Sequence, residues 1–279
     1  MEAWQIILII KERRARYLHA GKTDRTEGNE LNQIVLTGLV LQAAPVGEYD
    51  RRVVILTKEQ GKISAFARGA RRPNSPLVAA VNPFSFGEFT VYAGRSSYTV
   101  QSAKISNYFS ELREDMEGAC YGFYFLEYTS YYTKEANDER EMLKLLYQTL
   151  RALTNPHIPN RLIRYIFELR ALCINGEGPQ VFQCISCGKT KGQLVFSVKR
   201  GGLVCPDCGK DVIDGICLNQ STLYSMQYIE SSQIEKLYTF VVKENVLEEL
   251  ARVMKRYTDV YVDKRFKSLE ILETLVGLE

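Results

Sequence analysis

The sequence predicts an α+β multidomain protein in which a small five-stranded β-barrel precedes an all-α domain that carries a four-cysteine module. Three observations predict this arrangement: a segment of short alternating strands, a longer segment with helical spacing of apolar residues, and two Cys-x-x-Cys pairs within that longer segment. The chain has 279 residues, of which 46% are hydrophobic and 25% are charged. This composition fits about two globular domains and excludes disordered, collagen-like and coiled-coil proteins.

Residues 1–31 are predicted to be a poorly ordered extension, with a docked helix as the alternative. The apolar run WQIILII at residues 4–10 is much shorter than the ~20 residues that cross a bilayer. A basic cluster follows this run, whereas a secretory signal places its basic residues first. We therefore expect a soluble, cytoplasmic protein without a membrane partner.

Residues 32–111 are predicted to form the barrel domain. Five runs are rich in β-branched and aromatic residues and are separated by turn signals: QIVLTGLVLQ, RRVVILTK, KISAFARG, FGEFTVYAG and SSYTVQSAK. Gly61, after Glu59 and Gln60, suits a hairpin turn that needs a positive φ. Five short strands in about seventy residues favour an OB-type barrel, with an SH3-like barrel as the rival.

Residues 112–279 are predicted to form the helical domain. Apolar residues recur at helical spacing in several segments, and the clearest is residues 160–174, which ends before Gly176 and Gly178. The remaining predicted helices cover residues 116–135, 138–153, 219–230, 243–257 and 267–276.

Four cysteines predict a metal site in an insert at about residues 181–212. Cys184-x-x-Cys187 is followed, after seventeen residues, by Cys205-x-x-Cys208. Two residues between thiolates let one tight turn present both sulfurs to a tetrahedral ion, and a hairpin in the spacer brings the second turn opposite the first. Four thiolates leave no open position for water, so we predict one structural Zn²⁺ per chain. The alternative is four free thiols.

The rest of the sequence offers no catalytic constellation. Neither of the two histidines, His19 and His157, lies in a metal-binding or triad-like context. The remaining cysteines, Cys120, Cys173 and Cys217, are expected to be small core residues. We therefore expect a non-catalytic binding protein rather than an enzyme.

The barrel segment is basic. Nine Lys and Arg against five Asp and Glu between residues 33 and 112 give this segment alone more positive charge than the net +3 of the whole chain. Arg68, Arg71 and Arg72 cluster in one loop that contains Gly and Pro, which favours a nucleic-acid contact over a merely solvated surface. Each nearby aromatic residue either fills the barrel core, which we favour, or stacks on bases; these residues are Phe66, Phe84, Phe86, Phe89, Tyr92 and Tyr98.

The run LTGLVLQAAPVGEYDRRVVILTKEQGKISAFARGARRPNS resembles the start of the bacterial RecO family of DNA repair proteins. The GEYDR turn, the KISAFA strand, the GARR loop and then CISC and CPDC occur in the order typical of that family. The resemblance covers about residues 33–275. Residues 1–31 depart from it, which agrees with their interpretation as an extension.

The resemblance implies a recombination mediator located in the cytoplasm at the nucleoid. Proteins similar to this one bind single- and double-stranded DNA, anneal complementary strands, engage the acidic C-terminal tail of the single-strand binding protein, and with RecR help to load RecA. By this resemblance the phosphates would be neutralised by Arg51, Arg52, Lys62, Arg68, Arg71 and Arg72. The alternative is a zinc-containing protein-interaction scaffold without annealing activity.

Overall fold

The first part of the described chain is a closed barrel of five strands. A computed structural model describes residues 32–94 and 97–277, so the predicted extension at residues 1–31 lies outside the described residues. Hydrogen bonding runs in the order β1-β2-β3-β5-β4, with β3 and β5 parallel and the other described pairs antiparallel. The strands are β1 (Gln33–Val46), β2 (Asp50–Thr57), β3 (Gly61–Ala67), β4 (Phe86–Ala93) and β5 (Tyr98–Asn107). The predicted five-stranded barrel is confirmed.

Apolar side chains at alternate strand positions fill the barrel interior. In β2 and β3 the odd-numbered residues Val53, Ile55, Ile63 and Ala65 are buried in one hydrophobic cluster, together with Phe89 of β4. Successive side chains of a strand point to opposite faces, so the even-numbered residues of β2 and β3 lie on the outer surface of the barrel.

The C-terminal half is helical, as predicted. One short helix, α1 (Leu77–Ala80), lies in the barrel's β3–β4 connection and was not predicted. The helices that follow the barrel are α2 (Met116–Tyr132), α3 (Arg140–Leu153), α4 (Asn160–Ile174), α5 (Gln220–Ser231), α6 (Glu244–Tyr261) and α7 (Lys267–Val276). Two 3₁₀ turns cover Ser110–Arg113 and Ile234–Lys236. Among the described residues, no helix combines the length and the hydropathy that crossing a membrane requires.

Helix α4 is the centre of this half. Leu162, Ile166 and Phe167 are fully buried, and α4 packs against α3, α5 and α6. Its one buried ion pair joins Arg164 to Glu168 at 2.8 Å, and Tyr124 of α2 donates to the same carboxylate at 2.6 Å. Partners on both sides satisfy the buried carboxylate, so the pair does not leave an isolated charge in the core.

The barrel and the helices share a hydrophobic core. The outer face of β1 and β2 contributes Leu39, Leu41 and Leu56 to the same buried cluster as the helices. The β2–β3 hairpin also bonds to the α2–α3 connection, because Lys62 N–H donates to the Lys134 carbonyl at 2.9 Å and Ala136 N–H donates to the Gln60 carbonyl at 3.0 Å. The helices therefore cover the end of the barrel where this hairpin turns.

The hairpin turn yields a stability prediction with a matched control. Gly61 has φ +65°, as expected, and a Cβ there would lie 2.4 Å from the Lys134 carbonyl oxygen. Gly47 has a similar φ of +57°, but a Cβ there would meet nothing within 4 Å. An alanine at either position is destabilised by the left-handed backbone conformation. Only Gly61→Ala also places a Cβ too close to the main chain of Lys134.

We expect Gly61→Ala to lower the free energy of unfolding by at least ~1 kcal/mol more than Gly47→Ala, because only Gly61 contacts the helical half so closely. Urea unfolding of both variants measures the difference. Equal losses would show that the hairpin does not pack against the α2–α3 connection as described.

Candidate nucleic-acid interface and metal centre

The strand register collects five arginines at one end of the barrel. Arg51 pairs with Ala67 at the end of the β2–β3 hairpin that lies farthest from Gly61, and the loop after β3 begins there. The β1–β2 turn lies at the same end, because Val46 pairs with Asp50. We call Arg51, Arg52, Arg68, Arg71 and Arg72 the arginine rim.

Main-chain contacts hold the arginine loop against the β1–β2 turn. Gly69 N–H donates to the Asp50 carboxylate at 2.7 Å, and Arg71 N–H donates to the Tyr49 carbonyl at 2.9 Å. The Arg71 guanidinium also donates to the Gly47 carbonyl at 3.1 Å. The β1–β2 turn and the loop after β3 are therefore hydrogen-bonded to each other, and these bonds position the arginine rim.

Most of the rim is exposed and unpaired. Arg52, Arg68, Arg71 and Arg72 are exposed, while Arg51 is half-buried and donates to the Asn82 side chain. Among the described residues, no carboxylate lies within 4.0 Å of any rim guanidinium, although the exposed Glu48 and the Asp50 carboxylate belong to the same turn. The rim therefore keeps an excess of positive charge that internal ion pairs do not cancel.

Lys62 is not part of this group. It lies five residues before Ala67 on β3, roughly 16 Å along the strand. Its ammonium donates to the Ser130 carbonyl of α2 at the junction between barrel and helices. Burial there lowers its pKa, while the nearby Glu139 opposes the shift. The structure thus brings five of the six proposed phosphate ligands together and separates the sixth.

Tyr49 lies beside the arginine rim, and the sequence did not predict this position. Its side chain is 44% exposed, and the Arg72 guanidinium lies 5.0 Å from the centre of its ring. A cation at this distance over an aromatic face is attracted to it. The sequence does show a tyrosine in a glycine-containing turn between two strands, which is typical of an exposed aromatic residue. Its proximity to Arg72, however, depends on how the two loops pack together.

The aromatic residues of the barrel do not share one role. Phe89 fills the barrel core, and Tyr98 packs against it. Phe84 and Phe86 instead pack against the helical half, where Phe84 contacts Phe123 and Phe86 contacts Tyr147. Phe66 and Tyr92 belong to neither cluster, so the expectation that they fill the barrel core is wrong.

The four predicted cysteines come together. The Sγ atoms of Cys184, Cys187, Cys205 and Cys208 all lie within 4.8 Å of one another, and those of Cys187 and Cys205 are 3.7 Å apart. Metal–sulfur bonds of about 2.3 Å in a tetrahedron place sulfurs about 3.8 Å apart, so this spacing fits a four-coordinate ion. These residues could therefore hold a metal ion.

The pKa values of the thiols differ across the cluster. Burial opposes ionisation of Cys184, but the backbone N–H groups of Cys205, Cys187 and Ser186 outweigh it and lower the pKa of Cys184 to about 6. The neighbouring Cys187 and Cys205, to which the Cys208 thiol is hydrogen-bonded, raise the pKa of Cys208 to about 12. Four thiolates this close repel one another, and a bound cation removes that repulsion.

A small sheet supports the cysteine pairs. It has the order β7-β6-β8 and consists of β6 (Val195–Ser197), β7 (Gly202–Val204) and β8 (Gly215–Ile216). The β6–β7 hairpin confirms the expected connection between the two Cys-x-x-Cys pairs. Arg200 donates to the Cys208 carbonyl at 3.1 Å and forms two bonds of 2.8 and 2.7 Å with Asp211, which fixes the second pair.

The cysteine module is joined to the helices. Phe196 and Leu203 are buried in the helical core, and Gln227 of α5 donates to the Val181 carbonyl at 2.7 Å. Tyr261 of α6 donates to the Val198 carbonyl at 3.1 Å. Outside the cluster, Cys120 and Cys173 are partly buried against the core as expected, but Cys217 is exposed, so its assignment to the core was wrong.

Comparison with known proteins assigns this arrangement to a class. Residues 31–109 match the family described as Recombination protein O N terminal, and residues 113–270 match Recombination protein O C terminal. The barrel and the helical half together therefore define a recombination protein of DNA repair.

Relatives named DNA repair protein RecO match most of the chain. The one from Alkaliphilus metalliredigens is 36% identical over 240 residues, which are 85% of this chain and 98% of that protein. The one from Acetivibrio thermocellus is 32% identical over 247 residues, with 88% and 98% covered. The one from Bacillus pumilus is 28% identical over 242 residues, with 87% and 94% covered. The chain belongs to the RecO family of DNA repair proteins, as its sequence motifs indicated.

Proposed function

We propose that this protein is a non-catalytic, DNA-binding recombination mediator. It binds single- and double-stranded DNA, anneals complementary strands, and with RecR helps to load RecA onto single-stranded DNA covered by single-strand binding protein. We place this activity in the cytoplasm, at the nucleoid. The observation that carries the proposal is the arginine rim, because four of its five guanidinium groups are exposed and none is paired with a carboxylate of the described residues.

Unpaired guanidinium groups on a fixed support suit a phosphate backbone. Each phosphate they neutralise releases condensed counterions, which gives binding that weakens steeply with salt and does not depend on sequence. The rim can hold single and double strands because both present phosphates. Partial neutralisation of two strands also lowers their mutual repulsion, which favours annealing.

The triple variant Arg68→Ala/Arg71→Ala/Arg72→Ala tests the site. We expect it to bind a single-stranded oligonucleotide much more weakly and to lower the slope of log K against log salt by about 2, at ~0.7 per lost phosphate contact. Annealing of complementary oligonucleotides and RecR-dependent RecA loading should fall with the affinity. Titrations across a salt series give both affinity and slope.

A matched control removes three arginines from the helical half: Arg113→Ala/Arg140→Ala/Arg151→Ala, all of them exposed. It changes the net charge by the same amount and should retain the wild-type slope. If both triple variants lose the same amount of DNA affinity and of salt slope, the rim is not the site. The alternative, an interaction scaffold without annealing activity, is supported if purified wild-type protein anneals no faster than the oligonucleotides do alone.

A cleft in the helical half suits the acidic tail of the single-strand binding protein. The cleft has a volume of about 1070 Å³ and lies between α5 and the segment that leads into α6. Tyr224 and Val241 line it and are 66% and 61% exposed, Lys243 also lines it, and none of its lining residues is an Asp or Glu. Exposed apolar side chains beside a lysine fit a peptide that combines acidic and apolar residues.

We expect Tyr224→Ala and Lys243→Glu each to weaken binding of a peptide with the acidic C-terminal sequence of a single-strand binding protein, with about a tenfold loss for the tyrosine. Fluorescence anisotropy with a labelled peptide measures the affinities. Lys191→Glu makes the same charge change at an exposed lysine of the cysteine module and should bind normally. If Tyr224→Ala and Lys243→Glu bind the peptide as tightly as the control Lys191→Glu does, the tail binds elsewhere.

We propose that the metal held by the four cysteines is a structural Zn²⁺, one per chain. An all-sulfur tetrahedral set is typical of structural zinc and leaves no position for a substrate or water. The burial of Phe196 and Leu203 in the helical core means that losing the ion would disturb that core as well as the module.

Metal analysis should give about one zinc per chain, and Cys184→Ser should lose the metal and lower the free energy of unfolding by several kcal/mol. Cys217→Ser is the control, because Cys217 is exposed and outside the cluster. A purified protein that contains no metal and yet unfolds at the wild-type denaturant concentration would contradict this proposal.

A further inference from the structure

The outer face of the barrel carries a row of side chains beside the arginine rim. Arg52 of β2 pairs with Phe66 of β3, Phe66 pairs with Thr99 of β5, and Thr99 pairs with Tyr92 of β4. These four residues therefore lie side by side across four neighbouring strands. With strands about 4.8 Å apart, the two aromatic residues stand about 10 Å from each other.

Burial shows which way this row faces. Ala65 and Ala67, the neighbours of Phe66, are buried inside the barrel, as is Val91 beside Tyr92. The side chains of Phe66 and Tyr92 therefore lie on the outer face, where both are half-buried. They pack against neither hydrophobic core, and no ring stacks on them among the described residues.

One cation of the rim belongs to the same row. The Nε of Arg52 donates to the Ser64 hydroxyl at 2.9 Å, which holds the guanidinium across this face. Its two terminal nitrogens have no hydrogen-bond or ion-pair partner within the described chain. Arg68 follows Phe66 by two residues, and the nearest acidic side chain on the outer face of β4, Glu88, lies four residues before Tyr92 opposite Lys104.

From this arrangement we infer that Phe66 and Tyr92 form a base-stacking platform for single-stranded DNA, while the arginine rim holds its phosphates. Aromatic side chains interleaved with cations bind unpaired bases of any sequence, because every base has a π face. The inference rests on the proposed function and deepens it, since it assigns the strand preference of that same site.

The platform separates two kinds of binding. The bases of a duplex are paired and stacked within the helix, so they cannot reach Phe66 or Tyr92, whereas the phosphates of a duplex can still reach the rim. The rim therefore serves both forms of DNA with a strong salt dependence. The platform adds affinity only for single strands, and this added affinity depends little on salt.

The test compares two oligonucleotides of equal length and phosphate number, oligothymidylate and a fully abasic strand, binding to the full-length wild-type protein. We expect the strand with bases to bind more tightly by on the order of tenfold. In Phe66→Leu/Tyr92→Leu this preference should largely disappear, while duplex affinity and the salt slope stay as in wild type. Tyr131→Leu, at an exposed tyrosine of α2, should keep the preference.

The possible failures are distinguishable. Equal binding of both strands by wild type, with a normal salt slope, would overturn the platform and leave the proposed function standing. No salt-dependent binding of any strand would overturn the proposed function itself. If the double variant does not fold, the single variants Phe66→Leu and Tyr92→Leu decide, because each should lower the preference for the strand with bases. A preference unchanged in a folded double variant would also overturn the inference.

Discussion

The contact between the outer face of the β1–β2 sheet and the helices is the constraint on which the rest of the structure depends. On this outer face, the helices bury the side chains of Leu39, Leu41 and Leu56. This part of the barrel is therefore not accessible to a ligand. Burial of these apolar side chains removes them from water, which favours the contact. The opposite end of the same strands stays open, and the arginine rim lies there.

Pairing distinguishes the arginines that stabilise the fold from those that are available for a ligand. Arg164 is buried, bonds to Glu168 and lies 3.3 Å from Glu273, and Arg200 forms a two-bond pair with Asp211. These cations are neutralised by their own chain and contribute to packing. The rim guanidinium groups bond to neutral partners such as Asn82, Ser64 and a main-chain carbonyl, which leaves their charge uncompensated. A polyanion can supply the missing negative charge.

The cysteine module is part of the helical core. Its hairpin contributes buried side chains to that core, and hydrogen bonds from α5 and α6 end on its main chain. A structural ion at the four sulfurs would therefore hold together the region around α6 as well as two turns. Packing against the helices supports a short sheet of two- and three-residue strands that is too small to be stable alone.

The sequence by itself predicted the barrel strands, the main helices and the four cysteines that could hold a metal ion, because all of these depend on local spacing. Alternation predicted the five strands, helical spacing predicted residues 160–174 without error, and two Cys-x-x-Cys pairs identified the sulfurs that meet. Only the tertiary structure decided what surrounds each side chain. Lys62 and Arg68 belong to one basic segment, yet a strand carries them to opposite ends of the barrel, and one end is covered by helices. Phe66 and Phe89 are both barrel aromatics, yet one faces outward and the other inward, because alternation sets the period of a strand and long-range packing sets which face is covered.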